Sequence, residues 1–315
     1  MGGCGTLSNG TPTAEPVRRV GVLLAGRREG NQTIRAFIGG LQEHGWVVGR
    51  SLAIEWREGQ GQPSRYQSLA ADLVRLRVEV VVAQSTGLLA ATRAASPTIP
   101  IVALGLPADP VGLGWASSLA RPGHNITGTV ISREVEAKRV ELLKELVPGL
   151  SRVGILWTGR PDPAMFGVAT IESTAHTLGL TPISLEVPTM NLDLDPAFAE
   201  AALQRVEALV VYQTAAFNVR RAQITERVRQ LGIPAIYATR FYVTDGGLMS
   251  YGPALDQLYR RTARYVDEIL RGSSPGDLPI EQATSYELIL NLRVARALNL
   301  TIPQPLLQQV TDLTE

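Results

Sequence analysis

The 315-residue chain has one cysteine, Cys4, and three histidines, His44, His124 and His176. A single thiol excludes an internal disulfide framework and any cysteine-built metal cluster. The histidines have no H-E-x-x-H spacing and no G-x-S-x-G elbow accompanies them, so no metal and no catalytic constellation is expected. Walker sequences are missing, and residues 21–30 do not spell G-x-G-x-x-G, so no nucleotide cofactor is expected either. No stretch approaches the roughly 18 apolar residues that span a bilayer. Charge of one sign is also lacking: 30 Lys+Arg stand against 29 Asp+Glu, a net charge of +1. That balance argues against nucleic acid as a partner. Aromatic residues are only 5%, whereas Gly and Pro number 30 and 20, which suits many short connections. With 45% hydrophobic and 19% charged residues the chain can bury large cores.

What is present is a repeat. Residues 18–27 (RRVGVLLAGR) recur as 151–160 (SRVGILWTGR), 78–84 (VEVVVAQ) as 206–213 (VEALVVYQ), and 99–102 (IPIV) as 233–236 (IPAI). The order is preserved and the offsets, 133, 128 and 134, are nearly constant, so the two halves share one architecture. Continuous apolar runs at 20–24 and 80–83 read as strands buried on both faces, the mark of parallel sheets. Between them Ile34, Phe37, Ile38 and Leu41 fall at helical spacing, as do Leu69, Leu73 and Leu76, and later Ile171, Ala175 and Leu178. Gly45 and Gly179 stop the first helix of each half. The pattern predicts an α/β protein with two doubly wound, Rossmann-like lobes, each β-α-β-α-β.

Beyond the second half, Leu258, Thr262, Tyr265, Val266 and Ile269 mark an amphipathic helix ended by Gly272. A strand over 278–284, another over 286–290 and a helix near 293–298 follow. Such a tail suits a chain that crosses between lobes three times, near 130, 252 and 284. The expected division is a flexible tail over 1–16, one lobe from 17–130 plus 252–284, and a second from 131–251 plus 285–315.

In open parallel sheets ligands bind beyond the carboxyl ends of the strands. The most informative loop is Gln84-Ser85-Thr86, which leaves a buried strand and opens a helix. Its amides and hydroxyls suit an anion such as a carboxylate, or else form a plain N-cap. Asp109 reads as a partner for a ligand ammonium or as a turn cap. Arg27, Arg160 and Arg240 each end a strand, where a guanidinium can pair with a carboxylate or stay solvated. Trp157 and Tyr212 stand where the first half has Leu24 and Ala83; they would sandwich a ligand or close the core. Gln213 lies in the same loop as Tyr212. An enzyme would need an acid and a base, which nothing in the sequence marks. A sensor would use the same lobes without a transporter.

Several segments carry a resemblance: 109–114 (DPVGLG), 119–128 (LARPGHNITG), 246–253 (GGLMSYGP), 258–261 (LYRR), 278–282 (LPIEQ) and 291–303 (NLRVARALNLTIP). Together they resemble a bacterial substrate-binding protein family of ABC importers, some of whose members are linked to tryptophan and other aromatic amino acids. The sequence departs from it at His124, where a second glycine is expected. The resemblance implies a type I periplasmic-binding-protein fold without catalytic activity or cofactor, working as a monomer. It implies a small-molecule ligand held between the lobes and passed to an ABC permease with a cytosolic ATPase. On this reading Gln84, Ser85 and Thr86 hold the carboxylate, Asp109 the amine, and Trp157 and Tyr212 the side chain of an aromatic or branched amino acid. The expected location is the periplasm or the outer face of the cytoplasmic membrane, with Cys4, between small residues and a polar tether, as a lipidation site or a free thiol.

Overall fold

A computed structural model describes residues 17–28, 32–106, 109–158, 167–188 and 191–315, and only the backbone of Gln32 and Ala215. Cys4, the tail over 1–16 and Arg160 lie outside the described residues.

The strands form two sheets. The first holds β1 (Arg18–Leu24), β2 (Leu52–Glu58), β3 (Val80–Ala83), β4 (Ile101–Leu106), β5 (Ile126–Val130) and β11 (Glu281–Gln282), in the order β2-β1-β3-β4-β5-β11. The second holds β6 (Arg152–Thr158), β7 (Thr181–Val187), β8 (Ala208–Val211), β9 (Ala235–Tyr237), β10 (Met249–Pro253), β12 (Tyr286–Asn291) and β13 (Asp312–Thr314). Its order, β7-β6-β8-β9-β10-β12-β13, repeats that of the first sheet. The repeated segments occupy equivalent strands: β1 matches β6, β3 matches β8, and β4 matches β9. All pairings are parallel except β10 with β12. This is the two-fold doubly wound α/β architecture that the sequence repeat predicts.

The continuous apolar runs are the inner strands. Val80–Ala83 and Ala208–Val211 are buried at every position, because helices cover both faces. On the first sheet, α2 (Tyr66–Arg75) and α3 (Thr86–Ala95) pack on one face, α1 (Gln32–Glu43) and α10 (Leu255–Leu270) on the other. On the second, α4 (Glu134–Leu146) and α5 (Val168–Thr177) lie opposite α6 (Asp195–Leu203) and α8 (Arg221–Leu231). Gly45 and Gly179 take left-handed φ of 89° and 72° just past α1 and α5, the conformation that ends a helix most cheaply without a Cβ.

Two strands, β2 and β7, are absent from the sequence expectation. They are edge strands whose residues are mostly half-buried or exposed, so they lack the uninterrupted apolar run that marks the inner ones. The strand expected over 278–284 shrinks to Glu281–Gln282, and the chain closes with α11 (Leu292–Ala297), α12 (Gln304–Gln309) and β13. The chain leaves the first sheet after β5, returns from β10 into α10, and leaves again between β11 and β12.

Candidate functional site

The carboxyl ends of the two sheets meet. Val219 closes α7 (Ala215–Val219), beyond β8, and lies against the loops that follow β1 and β2. A Cβ built on Gly61 would stand 3.1 Å from a Val219 methyl, and one on Gly26 3.8 Å from it. Beyond β4, Asp109 Oδ2 is 4.0 Å from Arg133, which leads into α4. The loops after β1 and β2 therefore face the segment after β8 across a cleft between the two carboxyl edges.

On the first sheet, Ser85 is the N-cap of α3. Its side chain accepts from the amide of Leu88 at 3.4 Å, and Thr86 opens the helix. The first turn leaves amides without an intrahelical acceptor. Tyr66 packs beneath this turn; burial raises its phenol above the usual range, against a hydrogen bond with Ser85. Gln84 differs from expectation. Its Oε1 accepts from the Ala25 amide at 3.0 Å and its Nε2 donates to the Tyr259 hydroxyl at 2.6 Å, so the amide ties β1, β3 and α10 together. Arg27 is exposed at the end of β1.

Three further expectations meet a different environment. Asp109 Oδ1 accepts from the Gly112 amide at 2.8 Å, so this carboxylate caps its own turn and faces Arg133. Trp157 is only 7% exposed, lies in the core between β6 and its helices, and donates from Nε1 to Ser184 at 2.8 Å. It closes the core, because the strand's alternation turns it toward α5 and away from the loop. Arg240 pairs with Asp312 at 2.7 Å and Glu287 at 3.4 Å, bracing β12 and β13.

Tyr212 and Gln213 lie at the end of β8, both half-buried. Around Tyr212 the structure assembles a group that the sequence reading misses. Glu136, in the first turn of α4, accepts from Arg139 Nη1 at 2.5 Å. Arg139 is 1% exposed and also donates from Nε to the carbonyl of Tyr251 at 2.8 Å. Gly167 opens α5 beside them: a Cβ there would lie 3.0 Å from Glu136 Cγ and 3.5 Å from Tyr212 Cε2. Burial raises the Glu136 carboxyl above the usual carboxylate range, although Arg139 pulls the other way. The Tyr212 phenol is pushed up by burial and then by Glu136. In sequence, Glu136 and Arg139 form an ordinary i, i+3 pair of a solvated helix face. Only the placement of α4 under the second sheet's carboxyl edge buries them.

Among the described residues no group of three or more His, Cys, Asp or Glu could hold a metal ion. Among the same residues no helix is long and apolar enough to cross a membrane.

A Clostridioides difficile (strain R20291) protein named tyrosine-binding protein is 25% identical over 267 residues, 84% of this chain and 76% of its own length. The fold matches a Streptococcus pneumoniae ABC domain solved in complex with L-Trp, with TM-score 0.84, 22% identity, and 95% of this chain and 100% of that one covered. It also matches the ligand-free, open structure of a Clostridium difficile substrate binding protein with adhesive properties. There the TM-score is 0.68 at 22% identity, covering 95% of this chain and 99% of that one. The architecture is the type I periplasmic-binding-protein fold. The family described as ABC transporter substrate binding protein matches residues 27–313, and with nearly the whole chain so covered this protein belongs to it.

Proposed function

We propose that this chain is the extracytoplasmic solute-binding component of an ABC importer. It captures an amino acid, aromatic or branched, between two lobes and delivers it to a membrane permease driven by a cytosolic ATPase. The lobes are residues 17–130 plus 252–284 and 131–251 plus 285–315, joined by the three crossings, and the protein works as a monomer without catalytic activity. Cys4 is its lipid attachment point. The observation that carries the reading is the meeting of the two carboxyl edges, one presenting the Ser85–Thr86 helix start and the other the half-buried Tyr212. The amides and hydroxyls of Ser85 and Thr86 receive the ligand carboxylate, and Tyr212 packs on its side chain. The names of the tyrosine-binding relative and of the L-Trp complex support this ligand class.

The test is thermal unfolding of protein freed of ligand by denaturation and refolding, against amino acids, other carboxylates, sugars and nucleosides. A true ligand at 100 times its Kd adds about 2.7 kcal/mol, a shift of a few degrees. A rise confined to amino acids is expected. A rise for sugars or nucleosides alone overturns the ligand class, and a flat response to every compound overturns the solute-binding reading.

A further inference from the structure

We propose that Glu136, held by Arg139 and flanked by Tyr212, is the acceptor for the ligand's ammonium group. The inference rests on the reading of the cleft as an amino-acid site. Three observations carry it. The first is position: Glu136 stands at the carboxyl edge of the second sheet, next to the end of β8 and the start of α5, where this architecture binds ligands. The second is access, because Gly167 puts no side chain over the carboxyl group or the phenol ring, and Glu136 keeps 13% of its side chain exposed. The third is incomplete compensation. Arg139 gives one hydrogen bond to Glu136 and another to the Tyr251 carbonyl, so among the described residues a single guanidinium N–H serves a nearly buried carboxylate. Burial outweighs that partner and raises the carboxyl above its ordinary value. A ligand ammonium brings a second positive charge and further donors to this carboxyl.

Asp109, which the sequence marks for this role, is spent on the Gly112 amide and faces Arg133 at an exposed rim. Glu136 is the more deeply buried carboxylate, and an ion–ion contact strengthens where water is excluded. Arg139 fixes its position, because the guanidinium is anchored to the end of β10 through Tyr251.

The experiment measures amine selectivity. Affinities are taken by calorimetry for phenylalanine against hydrocinnamate, tyrosine against phloretate, and leucine against isocaproate, pairs that differ by the amino group alone. In the unaltered protein the best amino acid should bind about 10- to 100-fold more tightly than its deamino partner, the range for a hydrogen bond to a charged group. Glu136→Gln should collapse that ratio to within about threefold, mainly by weakening the amino acid and leaving the deamino acid almost unchanged. Glu136→Asp, which keeps the charge one methylene further back, should retain part of the preference and serves if the Gln variant folds poorly. A merely structural Glu136 would weaken both members of each pair equally and leave the ratio intact, and that result overturns the assignment. So does an unaltered protein that binds the deamino acids as well as the amino acids, although the importer reading then survives. If no amino acid and no deamino acid binds, the functional reading fails, and this assignment with it.

Discussion

At the scale of single residues the repeat has a physical content beyond apolar strands. Glu79 precedes β3; it accepts from the Arg19 amide at 3.0 Å and from Arg18 Nε at 2.7 Å. Glu207 precedes β8 and accepts from the amides of Ser151 at 2.7 Å and Arg152 at 3.0 Å. Each carboxylate therefore pins the start of the first strand of its own half. The Arg18 guanidinium, then the Arg19 amide, hold Glu79 below the ordinary value of 4.5, and the Ser151 and Arg152 amides do the same for Glu207. A lowered value in the fold means stability that is present above pH 4.5 and lost as the pH falls through the folded values. Glu79→Gln should cost about 1 kcal/mol near neutral pH, its partly exposed ion pair discounted for solvent. In thermal melts that deficit should shrink below pH 4.5; an equal deficit at every pH would mean that the charge does not matter. Both glutamates were legible as repeat positions. Residue roles in the cleft were less so: Trp157 and Gln84 fall at loop-proximal strand ends, but whether a side chain turns to the cleft or the core depends on pleat and partner. Ser184 and Tyr259, which engage them, are remote in sequence. Glu136 was hidden for the converse reason, since an i, i+3 charge pair reads as solvent-facing until a sheet edge is laid over it.

At the scale of elements, the segments that carry the family resemblance belong to the frame of the molecule. The turn 119–128 lies beside the stretch that leads into β11. The Gly123 amide donates to the Gly276 carbonyl at 3.0 Å, the Ile280 amide to Leu119 at 2.8 Å, and Thr127 Oγ1 to Leu278 at 2.8 Å. Two motifs separated by some 150 residues of chain are thus one contact (Thr127 and Leu278 stand 151 apart). The departure at His124 is harmless because the left-handed φ of this turn, 73°, falls on Gly123, and His124 is not among the residues with positive φ. Gly128 is the strict position. It has φ 139°, and a Cβ there would come 2.1 Å from the Ala103 carbonyl oxygen on β4. Gly128→Ala must push β5 away from β4, at a cost of about 2–4 kcal/mol. Urea unfolding should show a lower midpoint at unchanged slope; a midpoint within error of the parent would mean that the strand can shift freely. The edge strands β2 and β7 escaped the sequence reading because most of their residues are only partly buried or exposed, so no apolar run announces them.

For the whole molecule, the repeat was legible because the apolar runs recur in the same succession in both halves, and the two sheets wind in the same order. The relative placement of the halves was not legible, because it rests on a few contacts between loops. Val219 is 44% exposed yet abuts Gly26 and Gly61 across the cleft, and Asp109 faces Arg133 near the first crossing. Tyr251 and Tyr286 stack at 5.8 Å where the second and third crossings begin and end. If closure brings Val219 against Gly61, a bulky side chain there must wedge the rim without touching either core. Val219→Trp should leave the melting temperature of the empty protein nearly unchanged, because a surface substitution costs within about 0.5 kcal/mol. It should also weaken ligand binding about tenfold, since affinity falls with the population able to close. Small-angle scattering supplies the independent reading: added ligand should contract the parent protein, and the Val219→Trp variant should contract less at saturating ligand. Equal contraction with unchanged affinity would mean that the bound state does not bring these loops together.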